Sequence, residues 1–262
     1  MLYLTVFTKN IKVQITYYSE FLLTSVGALL FIYVQISIWQ ALLSQDPGIS
    51  PLSINAMITY IIVAYILRRA SATSFSNAFA DRVNRGDIAI DLIRPVNLKN
   101  MMISEQLSEN ICIILFSCLP VAVIAGFVWG FELVANPVML AMFVVSAIFA
   151  VALRFYIEYI FGLLVFWVRN ATHAQQLLSG LITIFSGSAI PLWFYPEWLR
   201  SIGMFLPFSL MAFDPIQIFL VTVTPNEALM ILVRQVGWLF VLWLIERFVW
   251  NRIKNNVFVQ GG

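Results

Sequence analysis

Residues 137–168 read PVMLAMFVVSAIFAVALRFYIEYIFGLLVFWV. Arg154 and Glu158 are the only charged residues in the run. An α-helix needs about 20 apolar residues to cross ~30 Å of hydrocarbon, so this run is a membrane span with length to spare. It must tilt, extend past the bilayer, or carry polar residues into a protein interior. Arg154 and Glu158 are one helical turn apart, and an i, i+4 pair of opposite sign partly compensates itself. A charge at membrane depth costs about 2.5–3.5 kcal/mol on insertion scales. Trp167 and Arg169 mark an inner boundary, which puts Arg154 about 20 Å deeper at ~1.5 Å per residue. Two readings stand for the pair: a polar element facing a translocation path, or side chains that snorkel to the cytoplasmic interface.

Working outward, five further segments have the same character, at about 21–43, 54–75, 108–131, 176–193 and 228–250. Of 262 residues, 61% are hydrophobic, and the mean hydropathy is +0.90. A soluble domain sits near about 45–50% apolar. The fold class is therefore an all-α polytopic membrane protein with six transmembrane helices, read as one domain over residues 1–262 without internal repeat or low-complexity linker. A net charge of +2 gives no case for nucleic-acid binding. Cys112 and Cys118 are six apart on one apolar helix, so they face different ways and form neither a disulfide nor a zinc site. His173, the single histidine, falls in a predicted cytoplasmic turn, which argues against a His-based metal site. The N-terminus MLYLTVFTKNIKVQ has no cleavage signature, so the first span is expected to be retained.

Lysine and arginine placement orients the spans. Lys9 and Lys12 precede the first span, and the following loop SQDPGISPLS has neither residue type. Arg68, Arg69, Arg82, Arg85, Arg94 and Lys99 follow the second span, and the turn around FELVANP has none. Arg169 follows the fourth span, Arg200 is alone after the fifth, and Arg247, Arg252 and Lys254 end the sixth. The alternation predicts both termini in the cytoplasm. Trp39, Trp129, Trp193 and Trp198 fall near outer ends, and Trp167 and Trp250 near inner ends, as in an aromatic belt. Arg234 in the sixth span and the Arg68–Arg69 pair read as interfacial. Before the first span, Phe7, Ile11, Ile15, Tyr18 and Leu22 recur on one helical face, opposite Lys9, Lys12, Thr16 and Glu20. This favours an N-terminal interfacial amphipathic helix over residues 1–20 against an inward extension of span one.

The longest cytoplasmic segment, residues 76–107, holds DRVNRGDIAIDLIRP at 81–95. Gly86 breaks the chain, Asp87 caps a short helix, and Pro95 stops it. Ile88 and Leu92 share one face. Asp81, Arg82, Arg85, Asp87, Asp91 and Arg94 balance in sign, whereas a lipid-binding segment is mostly basic. The segment reads either as a surface that docks a protein or as a solvated loop. On the outer side, residues 186–210 are apolar yet broken by Ser186, Gly187, Pro191, Pro196 and Pro207. They read as short re-entrant helices, which survive in a bilayer only against protein or water. The alternative is a kinked end of span five followed by a surface helix.

The run GDIAIDLIRPVN resembles the Gly-(any)4-Leu-(Leu/Ile)-Arg-Pro pattern after the second span of ABC type-2 (ABC-2) exporter permeases. TKNIKVQITYYSEFLLTSVG, GLLVFWVRNATHAQQL and SGSAIPLWFYPEWLRSIGMFLPF are similar to other stretches of the six-span branch of multidrug, antibiotic or viologen exporter permeases, in the same order. After DPIQIFL that pattern continues with Gly, where this chain has Val221. The resemblance implies that Asp81, Arg82, Arg85, Gly86, Asp87, Asp91 and Arg94 form an ATPase-coupling region. It implies two ATPase subunits, a second permease that is identical or related, export from a bacterial inner membrane, and outer helices that shield the exit. The chain lacks a Gly-x-x-x-x-Gly-Lys-Ser/Thr phosphate loop, so ATP and Mg2+ belong to the partner ATPase and this chain binds no cofactor. Sparse charge in the spans points to an amphiphilic substrate. The alternative is a secondary transporter driven by an ion gradient, for which Glu158 is the one good acidic candidate. An intramembrane enzyme would need a reactive constellation that neither His173 nor Asp214 supplies.

Overall fold

The computed structural model describes residues 2–16, 18–45, 48, 50–73, 98–132, 134, 136–163 and 171–257. They are mostly helical, with no strand among them. The helices are α1 (Leu2–Thr16), α2 (Tyr18–Gln45), α3 (Ile54–Ala70), α4 (Leu98–Ile113), α5 (Leu119–Trp129), α6 (Pro137–Leu163), α7 (Ala171–Phe185), α8 (Glu197–Phe205), α9 (Phe213–Phe219) and α10 (Pro225–Val257). A π-helical turn, Ile114–Cys118, joins α4 to α5 without a break. Pro120 explains it. Proline has no N–H and its ring clashes with the carbonyl four residues back, and a widened turn relieves both.

Helix starts follow local chemistry. Ser53 caps α3, its side chain accepting from Ala56 N at 3.2 Å. The Asn136 side chain accepts from Val138 N at 2.9 Å ahead of α6. α10 opens on a reciprocal capping box. The Glu227 carboxylate accepts from Thr224 N at 2.7 Å, and the Thr224 hydroxyl accepts from Glu227 N at 3.3 Å. His173 lies within α7 rather than in a turn, because the helix already begins at Ala171.

Among the described residues, four stretches are long and apolar enough to cross a membrane: Glu20–Gln45, Lys99–Trp129, Pro137–Leu163 and Pro225–Ile253. α3 has 17 residues and α7 has 15, so the second and fifth segments are shorter than the sequence reading has them. α2 buries Phe21, Ser25, Ala28, Ile32, Ile36, Trp39 and Leu43, at steps of three and four. Its other faces stay apolar and open, with Leu23 76% exposed. α3 is different: every residue from Met57 to Tyr65 is buried. A helix apolar on all sides and covered on all sides is the centre of a bundle. It packs between α2 and α5, with the outer segment above it. α6 and α10 pack together along their length, and α7 joins them through Leu178 and Ile182. α1 packs along α4, with Ile11 against the cluster of Phe21, Cys112, Ile113 and Cys118. The last ten residues of the expected cytoplasmic segment, 98–107, are already helix and continuous with the span.

Candidate functional site

α6 carries Arg154 and Glu158 on successive turns. Arg154 Nε donates to Glu158 Oε1 at 3.1 Å, and both side chains are largely buried. The hydroxyl of Thr73 donates to Glu158 Oε2. Thr73 lies just past the end of α3, and its neighbour Ala72 offers its carbonyl to Gln106 Nε2 at 3.1 Å. Gln106 also donates to Asn110 Oδ1 at 2.8 Å. The exit of α3 is thus tied to α6 on one side and α4 on the other. In this structure the pair is bonded to protein on the α3 side.

Arg154 also lines a cavity of about 520 Å³ between α2, α3, α6 and α7. Ligand sites commonly span about 300–1,000 Å³. Arg68 and Arg69 line it from α3, with Arg68 stacked 5.2 Å from the Phe31 ring centroid. Hydroxyls of Thr24, Ser179, Thr183 and Ser188 line it from α2, α7 and the turn after α7. Arg69 Nε is buried without a hydrogen-bond partner, and the Tyr65 hydroxyl is buried beside Ser117. A second, far narrower cavity of about 10 Å³ shares Phe31, Tyr65, Arg68 and Ser188, and reaches Tyr60 and Pro191. The polar lining therefore runs from the C-terminal end of α3 toward residues 188–191.

That segment closes the far end. The Tyr60 hydroxyl donates to the Gly187 carbonyl at 2.6 Å, and Gln35 Nε2 donates to the Ala189 carbonyl at 3.2 Å. Phe213 N donates to the Ser186 carbonyl at 2.9 Å. Gly187 has φ +74, and a Cβ there would stand 2.8 Å from Phe213 Cβ. Ser186, Gly187 and Pro191 are thus gathered beside α2, α3 and α9. Pro196 caps α8, and Pro207 follows that helix. Asp214 on α9 is buried, which pushes its carboxyl up, while Arg234 at 3.7 Å and a hydrogen bond from Ser209 pull it back. Arg234 also donates to the Met204 carbonyl, and Gln235 donates to the carbonyls of Ser146 and Leu210. Arg234, read from sequence as interfacial, is a clamp between α10 and the outer segment.

Asp81, Arg82, Arg85, Gly86, Asp87, Asp91 and Arg94 lie outside the described residues. Sequence reasoning passed over Tyr65, Arg69 and Thr73 as site residues. Their signal was faint: hydroxyl residues at i, i+4 (Ser179 and Thr183) in the apolar second half of α7 face the same interior as the paired arginines.

Residues 26–255 match the model of a family described as ABC-2 family transporter protein. No curated protein matches the chain.

Proposed function

The chain belongs to the ABC-2 family of transporter proteins, and from that premise we propose that it is the permease subunit of an ATP-driven exporter. A multi-pass membrane permease follows from the family and from the four apolar helices. The proposal adds the arrangement. Two permeases, identical or related, enclose the path; two separate ATPase subunits dock on residues 76–107; ATP and Mg2+ stay on those partners. α3 and α7 complete a six-crossing chain in a bacterial inner membrane with both termini cytoplasmic, α1 lies at the inner interface, and residues 186–210 form the re-entrant cover of the exit. The substrate is amphiphilic, in keeping with a multidrug-type exporter.

The observation that carries this reading is how the two ends of the charged segment are moored. Its start, at Ala72 and Thr73, bonds to Gln106 on α4 and to Glu158 on α6. Its end, at Lys99, bonds to Glu246 on α10 at 2.9 Å and sits 4.6 Å from the ring centroid of Tyr156 on α6. A force applied to residues 74–97 by a docked ATPase is therefore delivered to α3, α4, α6 and α10. Through Thr73 it reaches the Arg154–Glu158 pair at the cavity wall. Such a discrete set of bonds is the physical element that an ATP-driven change can bias.

The test is affinity co-purification in mild detergent, with Asp91→Arg and Arg94→Glu made singly. A stoichiometric ATPase that co-elutes with the wild type and is lost in these variants is the expected result. A permease that transports under an ion gradient with no ATPase in any gentle extraction would overturn it.

A further inference from the structure

Among the described residues, the cavity between α2, α3, α6 and α7 is bordered by more positive than negative charge. Arg68, Arg69 and Arg154 border it, and Glu158 neutralises Arg154 alone. Among the described residues, neither Arg68 nor Arg69 has an acidic partner. Burying a polar group without a hydrogen bond is costly. Yet Arg69 Nε is buried beside the cavity without a hydrogen-bond partner. Guanidinium groups present planar forks of donors that match the oxygens of phosphate, sulfate or carboxylate. The cavity, at about 520 Å³, is far roomier than a bare oxyanion requires, and Ala28, Phe31 and Ile182 supply apolar wall.

We propose that this cavity receives the anionic headgroup of an amphiphile. Arg68 and Arg69 hold the oxygens, and the apolar portion lies along Phe31 and Ile182. A cationic amphiphile of the same size would meet two uncompensated positive charges and is excluded. As a statement about transported substrate this rests on the permease reading. As a statement about binding it does not, since a membrane lipid and an exported amphiphile share this headgroup chemistry.

The test uses the purified full chain in an uncharged maltoside detergent, without any ATPase, so it succeeds or fails independently of the co-purification. Thermal unfolding, followed by tryptophan fluorescence, is titrated with dodecyl phosphate, dodecyltrimethylammonium and inorganic phosphate. Dodecyl phosphate should raise the midpoint saturably. Arg69→Gln should weaken that effect at least ~10-fold, as loss of one charge-assisted contact implies, and Arg69→Lys should restore part of it. Arg247→Gln, exposed on α10 away from the cavity, should leave it unchanged. If Arg69→Gln does not fold, Arg68→Gln takes its place. In nanodiscs, competition by phosphatidylglycerol but not phosphatidylcholine would support the proposal with a lipid as occupant. Lack of competition, with dodecyl phosphate still bound, would support it with an exported amphiphile. Equal binding of the cationic probe, equal competition by inorganic phosphate, or undiminished binding to Arg69→Gln would overturn it.

Discussion

Val221 stands in the left-handed region, at φ 53, and is the one non-glycine residue with positive φ among those described. Thr222 N donates to the Gln217 carbonyl, and Val221 N to the Ile218 carbonyl. These two bonds end α9 in a Schellman motif, whose C′ position is normally Gly. The resemblance to ABC-2 exporter permeases implies Gly at this place, and the backbone gives a physical reason for one. A β-branched residue there is strained, at a cost of about 1–2 kcal/mol. Val221 is 47% exposed, so little packing is lost on replacing it. Val221→Gly should therefore stabilise the chain by about 1 kcal/mol after the entropy of glycine is counted, an upward shift of ~2–4 °C in thermal midpoint. Gly187 is the opposite case. Its positive φ and the Phe213 Cβ at 2.8 Å leave no room for a methyl group. Gly187→Ala should destabilise by about 2–4 kcal/mol, from strain plus overpacking. It should also loosen the Tyr60 bond to the Gly187 carbonyl, visible as faster proteolysis within residues 186–210. Both residues were legible in sequence, Gly187 as a helix breaker and Val221 as a departure. What sequence could not supply was the neighbour each one meets.

Between helices, the start of α4 and the C-terminal halves of α6 and α10 meet at Lys99. Its ammonium bonds Glu246 at 2.9 Å and lies over the rings of Tyr156 and Tyr159. The two charged side chains are 19% and 9% exposed. Removing one partner of such a pair leaves the other charge uncompensated and costs about 3–5 kcal/mol when fully buried, somewhat less here. Lys99→Glu should lower the thermal midpoint and reduce recovery of the folded chain. Adding Glu246→Lys should recover part of the loss, but not all, because a lysine at 246 forfeits the two tyrosines. If the double variant is no better than the single, the pair is not what joins these helices. This contact was invisible in sequence, since its members are separated by most of the chain. The spans themselves were legible, because ~20 apolar residues have few other uses. Which face of each span is inward was not. On α2, Ile32 and Ile36 are buried while Leu30 and Val34 are open, yet all four are apolar. Lipid and protein interior ask for similar side chains, so the helical period that reveals a core in water fades in a membrane.

Across the whole chain, the number of crossings follows from where α3 and α7 run. α3 is 17 residues long, about 26 Å at ~1.5 Å per residue, close to the ~30 Å hydrocarbon thickness. Its neighbours cover it, so it need not satisfy lipid on any face. Six crossings put Arg68 through Lys99 in the cytoplasm and the lysine-free turn at 130–136 outside. If α3 and α7 did not cross, the four long helices alone would reverse both assignments and place the densest arginine cluster outside, against the positive-inside bias. Two positions separate the alternatives. Cysteine introduced at Glu132, which is exposed in the α5–α6 turn, should react with a membrane-impermeant maleimide in intact cells. Cysteine introduced at Arg85 should react only after permeabilisation. The native Cys112 and Cys118 are both buried and give a low background. The reverse labelling pattern would reduce the chain to four crossings. It would also move the charged segment away from any cytoplasmic ATPase, leaving the mooring bonds at Thr73 and Lys99 with nothing to transmit.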